Sequence, residues 1–265
     1  MNKIVLLCFL VFTIACNQKN DLQGSTNNVE GASQEETLKK EFAIFPDSAL
    51  VLQNLVTYYV SMQNYDAALN TVNTVLSKDS GIATLWDLKS MIAVQKGDTA
   101  MAIQALENAI AITALPEYVI SLGELYAEAA NPRALEMADA LLLSTRANSQ
   151  KEALFIKGLY YTYKNEKQTA ILLFEKCIAL DYNFIQAYIE KGLALYDLAK
   201  YNEAAKILET AIKVKNTYGL SYYYLGKCYE KLNRPKEAIE VYDIVLQLNP
   251  DDEDAKDALS RLGVK

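Results

Sequence analysis

The sequence contains no histidine in 265 residues. That absence removes Ser-His-Asp and Cys-His catalysis and the commonest metal ligand. No glycine-rich phosphate loop and no Cys-x-x-Cys pair is present, and nothing among 33 acids singles out two for carboxylate-pair catalysis. The acidic run Asp251-Asp252-Glu253-Asp254 lacks the spacing and central glycine of a calcium loop. It reads instead as the start of a helix, where negative charge meets the positive end of the dipole. Together these absences predict a protein that is not an enzyme and that holds no cofactor and no metal.

Basic residues are also scarce where nucleic acid would need them. Residues 17–150 hold 16 acids against 8 bases, while residues 151–265 hold 17 of each. An acidic N-terminal half disfavours nucleic acid. It suits either a basic partner or a merely solvated surface. Cysteine is rare too. Cys8 and Cys16 lie near the start, leaving Cys177 and Cys228 in the body of the chain.

The chain opens Met1-Asn2-Lys3, and Ile4 to Ala15 is then apolar apart from Thr13. Twelve residues are too few to cross a bilayer, which takes about 20. A short apolar run after a lysine reads as a secretory signal over residues 1–15. It ends Thr13-Ile14-Ala15-Cys16, which resembles a bacterial lipobox, with Thr13 where leucine is usual. The resemblance implies that Cys16 is lipidated and becomes the new N-terminus. Ordinary signal cleavage after Ala15 is the alternative. Two or three acyl chains would anchor stably where one would not. Residues 17–34 are rich in Asn, Gln, Gly and Ser, bury little, and read as a flexible tether. Asn17 follows the cysteine in place of the aspartate that favours inner-membrane retention in proteobacterial lipoproteins. The resemblance therefore points to the bacterial outer membrane, facing the periplasm.

Within the body, Ala68, Ala102, Ala170, Ala204 and Ala238 are one or two 34-residue steps apart. Gly158, Gly192 and Gly226 share the step, with Gly123 one residue out of phase. A fixed period of this size marks stacked helical hairpins. The last unit carries the pattern most fully: Tyr222, Leu225, Gly226 and Tyr229 in a first helix, then Ala238, Tyr242 and Pro250 in a second. Gly226 and Ala238 are small where two helices approach closely. Pro235 suits the first turn of a helix, and Pro250 stops it. This resembles the tetratricopeptide repeat family. Six units begin near Ala49, Gly81 to Ala83, Pro116, Lys151, Ile185 and Gly219. The third has a shifted second helix, around Ala134 to Leu143. The resemblance implies an all-α fold, a right-handed α-α superhelix of about six hairpins over residues 49–252. Capping helices are expected over 35–48 and 253–265, since end repeats need covers. Two repeats separate Cys177 from Cys228, and stacked helices lie about 8 to 10 Å apart. That exceeds the ~7 Å reach of a disulfide, so two free, mostly buried thiols are expected.

In tetratricopeptide proteins five positions of each first helix face a concave groove. Carried over, they give Glu117, Ile120, Glu124, Ala127 and Glu128 in the third unit, and Glu152, Phe155, Leu159, Thr162 and Tyr163 in the fourth. The fifth supplies Gln186, Ile189, Leu193, Tyr196 and Asp197, and the sixth Leu220, Tyr223, Lys227, Glu230 and Lys231. The expected partner-binding groove is thus Phe155, Tyr163, Ile189, Leu193, Tyr196, Tyr223 and Lys227, flanked by an acidic groove of Glu117, Glu124 and Glu128. The competing place for the aromatic residues is packing between helices. The lysine and asparagine set that clamps a carboxylate in other members is not seen at Gln53 and Thr57. The whole reads as a non-enzymatic scaffold or adaptor, lipid-anchored in the envelope and binding protein or peptide partners. A cell-wall hydrolase or glycan binder on the same scaffold is the alternative.

Overall fold

A computed structural model describes residues 27–143 and 149–264. Residues 1–15, Cys16 and the first part of the expected tether lie outside the described residues. Among those described there are fourteen helices and no strand. A leading helix, α1 (Asn27–Ile44), precedes six hairpins. These pair α2 (Ala49–Ser61) with α3 (Tyr65–Leu76), α4 (Ala83–Lys96) with α5 (Thr99–Ile112), and α6 (Pro116–Glu128) with α7 (Arg133–Leu143). They continue with α8 (Gln150–Tyr163) and α9 (Lys167–Leu180), α10 (Ile185–Asp197) and α11 (Tyr201–Val214), and α12 (Gly219–Lys231) and α13 (Pro235–Leu248). A trailing helix, α14 (Glu253–Arg261), closes the stack. Helix α1 begins at Asn27, inside the stretch read as a tether. Glu30, Ala32, Gln34, Glu35 and Glu36 are good helix formers, and local propensity prevails there over the low apolar content.

Local chemistry sets the helix ends. Ser48, Asn64, Asp98 and Asp252 accept from backbone N–H groups in the first turns of α2, α3, α5 and α14. Pro116 and Pro235 open α6 and α13. Each hairpin turn passes through one residue with positive φ: Gln63, Gly97, Ala130, Asn165, Ala199 and Asn233. The turn therefore repeats with the units, although only one of the six positions is a glycine.

The glycine phase seats a side chain of the paired second helix. A Cβ on Gly158 would meet the Phe174 ring at 2.4 Å, one on Gly226 the Tyr242 ring at 2.6 Å, and one on Gly192 the Leu208 side chain at 2.9 Å. In each case the seated residue lies 16 positions on. Phe174, Leu208 and Tyr242 have no exposed surface. At the same two phases, the second unit has Ser90 and Leu106 and the first has Val56 and Val72, all buried. Val56, the largest residue at the first position, is matched by Val72, the smallest at the second, as close packing requires. The third unit departs from this. A Cβ on Gly123 would meet Ile156 of the next unit at 2.7 Å and Met137 Cβ at 3.2 Å, so its glycine serves the contact between units as well.

First helices of successive units touch directly: α6 packs on α8, α8 on α10, and α10 on α12. That side of the stack is therefore the inner face. Cys177 and Cys228 are free and buried, and burial pushes both thiols up to about 12.

Gly158→Ala should destabilise by about 1 to 3 kcal/mol, because the rigid ring of Phe174 has nowhere to move. Gly219, with nothing within 4 Å of its would-be Cβ, should accept alanine with no loss. Paired urea melts check the contrast, and equal midpoints would refute the packing role.

Candidate functional site: the inner face

Of the seven side chains of the expected partner-binding groove, two are not available to a ligand, and Ala127 and Leu159, also carried over to the groove, are buried as well. Phe155 is 5 % exposed and packs on Phe174 and Phe184, with ring centroids 5.7 and 5.1 Å away. Ile189 has no exposed surface and belongs to the cluster of Ile185, Tyr188 and Ala211. Both fall on first helices where the next unit's packing covers the face, so they are core residues. Tyr163, Leu193, Tyr196, Tyr223 and Lys227 remain half-buried, with surface to offer.

These side chains gather toward the C-terminal end. Lys227 Nζ lies 5.4 Å from the Tyr196 ring centroid, 5.6 Å from that of Tyr223 and 5.3 Å from that of Tyr224. Three rings around one ammonium group form a cation–π cluster. It is held from outside by Tyr201 edge-on to Tyr196 and by Tyr242 against Tyr223. Tyr242 in turn donates to Glu230 Oε1 at 2.6 Å, which ties up one of the polar groups expected in the groove. Burial pushes the phenols of Tyr196 and Tyr224 up to about 12, so both stay neutral rings, each with a hydroxyl.

The acidic set is differently composed from the expected one. Glu117 is exposed and its charge is felt by half-buried Asp87 of α4, whose carboxyl is raised by burial and then by Glu117. Glu124 and Glu128 instead share their surroundings with Glu152 of α8 and Glu190 of α10. Burial, then Glu128, Glu152 and Glu190, push Glu124 up to about 8. Burial raises Glu128 to about 7. Glu190 is raised to about 7 by burial, then by Glu128 and Asp197. Carrying over family positions misses Glu190, because it is not one of the five groove phases. One signal was available: the equivalent residues one unit away are Ile156 and Tyr224, so a carboxylate there is out of character. Among the described residues no three His, Cys, Asp or Glu side chains are placed to hold a metal ion, and no helix is long and apolar enough to cross a membrane.

Sequence models of the tetratricopeptide repeat match residues 83–114, 151–184 and 195–262, together about half of the chain. The chain belongs to the tetratricopeptide repeat family. No curated protein matches it significantly. Among solved structures, a tetratricopeptide repeat protein from Parabacteroides merdae superposes with a TM-score of 0.70 at 17 % identity, covering 89 % of this chain and 94 % of that one. PilW, a type IV pilus biogenesis factor, gives 0.60 at 16 % identity, over 79 % and 97 %. The Cut9–Hcn1 structure gives 0.58 at 18 % identity, over 89 % of this chain and 46 % of that one. These likenesses carry the fold: an α-α superhelical solenoid of six tetratricopeptide hairpins between two flanking helices. Such proteins generally act as protein-interaction scaffolds.

The tetratricopeptide inner face also makes a pH-dependent contribution to stability. Glu124, Glu128 and Glu190 hold protons in the folded chain at pH values where the unfolded chain has lost them, since ordinary carboxyls titrate near 4.3. Their contribution is complete below that value and is lost as pH rises through about 7 to 8. Glu107, Asp181 and Glu237 are lowered, chiefly by hydrogen bonds with Tyr126 and Arg133, with Lys151, and with the Glu237 backbone and Arg234. Their contribution is lost only as pH falls below ~4.5. With no imidazole in the chain, the melting temperature should fall between pH 5.5 and 8.5. Glu190→Gln should flatten that slope in scanning calorimetry; an unchanged slope would refute the assignment.

Proposed function

We propose that this protein is a non-enzymatic adaptor of the bacterial envelope. In this reading it is anchored to the outer membrane through lipid on Cys16 and takes an extended or helical peptide of an envelope protein on its inner face. The observation that carries the binding site is the cluster of half-buried Tyr196, Tyr223 and Tyr224 around Lys227. Large, rigid rings with one polar tip lose little entropy on contact and supply most of the binding energy at peptide interfaces. Leu193 and Tyr163, also half-buried, extend the apolar strip toward the third unit. What supports the scaffold class is family membership, together with a sequence that has no histidine.

Two experiments address the two halves of this reading. Tyr196→Ala with Tyr223→Ala should weaken partner capture from detergent-solubilised envelope about fivefold or more per ring, corresponding to ~1 kcal/mol each, while circular dichroism stays unchanged. Undiminished capture by the folded double variant would move the interface to another face. Cys16→Ser should shift the protein from the membrane to the soluble periplasmic fraction. A variant that still sediments with the membrane would refute the anchor.

A further inference from the structure

Glu190 is 7 % exposed, and no described residue gives it a hydrogen bond or an ion pair. It is placed where the adjoining units have Ile156 and Tyr224, so an apolar residue would pack at this phase. A carboxylate withdrawn from water without a partner is costly, and the fold gains nothing from it structurally. Close by, Glu152 Oε2 is buried and also lacks a hydrogen-bond partner. The remaining charges around the site are already engaged or are of the same sign. Helix α6 supplies Glu124 and Glu128. Helix α8 supplies Glu152 and Lys151, whose ammonium is 3.8 Å from Glu152 but 2.5 Å from Asp181. Helix α10 adds Asp197, paired with Lys167, and α12 adds Lys227, seated over its three tyrosine rings. Tyr163 of α8 and Tyr224 of α12 complete the surroundings, and both feel the charge of Glu190.

We propose that the inner face of α6, α8 and α10 is a receptor for one lysine or arginine side chain of the bound peptide, with Glu124, Glu128, Glu152 and Glu190 receiving the cation and Tyr163 and Tyr224 flanking its stem. The proposal rests on the groove reading above and names what that groove selects. Among the described residues no three carboxylates are placed to hold a metal ion. An ammonium or guanidinium group needs no such cage, since one or two carboxylates can pair with it and the others favour it at longer range, and aromatic walls favour both its charge and its methylenes. The site adjoins the Tyr196–Tyr223–Tyr224 cluster through Tyr224, so one peptide reaches both. An empty site keeps protons on some of its carboxyls near neutrality, and an incoming cation displaces them.

A phage-displayed random dodecapeptide library panned on the full chain tests this. Wild type should enrich peptides with Lys or Arg at one fixed position. Synthetic copies should lose at least tenfold in affinity when that residue becomes norleucine, and similarly against Glu190→Gln, whose melt shows that it folds. Calorimetry at pH 7 in buffers of different ionisation heat should report proton release on binding. Enriched peptides that depend on Tyr196 and Tyr223 but bind Glu190→Gln equally would overturn the cation site and leave the groove standing. No enrichment on wild type would overturn both. Displacement of the peptide by micromolar spermidine, with spermidine binding as tightly as the peptide, would make this a site for free amines and overturn the proposal.

Discussion

The close approach of a glycine backbone in each first helix to a fully buried side chain of its partner is the contact on which the rest depends. Gly158 with Phe174, Gly192 with Leu208 and Gly226 with Tyr242 fix the distance within three consecutive hairpins. With the pairs held, adjoining units stack by laying the second helix of one against the first helix of the next, and from α6 to α12 the first helices also touch directly. The inner face is therefore a consequence of small residues buried behind it. Its rings and carboxylates stand on helices held by those buried contacts, in a fixed array.

Much of this was legible because packing writes itself into the sequence at a fixed period. The alanine and glycine phases, Pro116, Pro235 and the acidic start of α14 each have a local physical reason and each fall where the helices begin or touch. The same argument explains the failures. Phe155 and Ile189 lie at phases assigned to the groove, yet a side chain there turns inward when the next unit offers a hydrophobic seat, as Phe184 does for Phe155. Position along one helix cannot tell these apart, because the choice is made by a residue about thirty positions away. The hairpin turns were legible only in part, at Asn233 before Pro235 and beside Asn131-Pro132: five of the six positive-φ positions carry a side chain, so glycine marks a single turn, at Gly97.

The acids illustrate how one residue type divides by surroundings. Glu107 accepts from Tyr126 and pairs with Arg133, both at 2.5 Å, while the Arg133 guanidinium lies 4.7 Å from the Tyr126 ring centroid. Three units on, Glu209 accepts from Tyr229 at 3.0 Å, with Arg234 4.4 Å from that ring. These carboxylates link one unit to the next. Lys96 with Asp66 and Lys167 with Asp197, each 30 residues apart in sequence, also do so. Exposed pairs of this kind contribute little individually, but they account for their charges.

Glu124, Glu128 and Glu190 are not accounted for in that way. The chain has bases in equal number to acids over residues 151–265, and among the described residues none of them is paired with these three. Lysines stand nearby on α8 and α12, each committed elsewhere. A scaffold that needed only stability would use an apolar side chain at position 190, as it does at Ile156. Keeping a carboxylate there lowers stability near neutrality and leaves a local demand for positive charge on the inner face. On the proposal of a cation site, the folding free energy given up at one place on the inner face goes with discrimination: a cation would be favoured there over an anion or an apolar group.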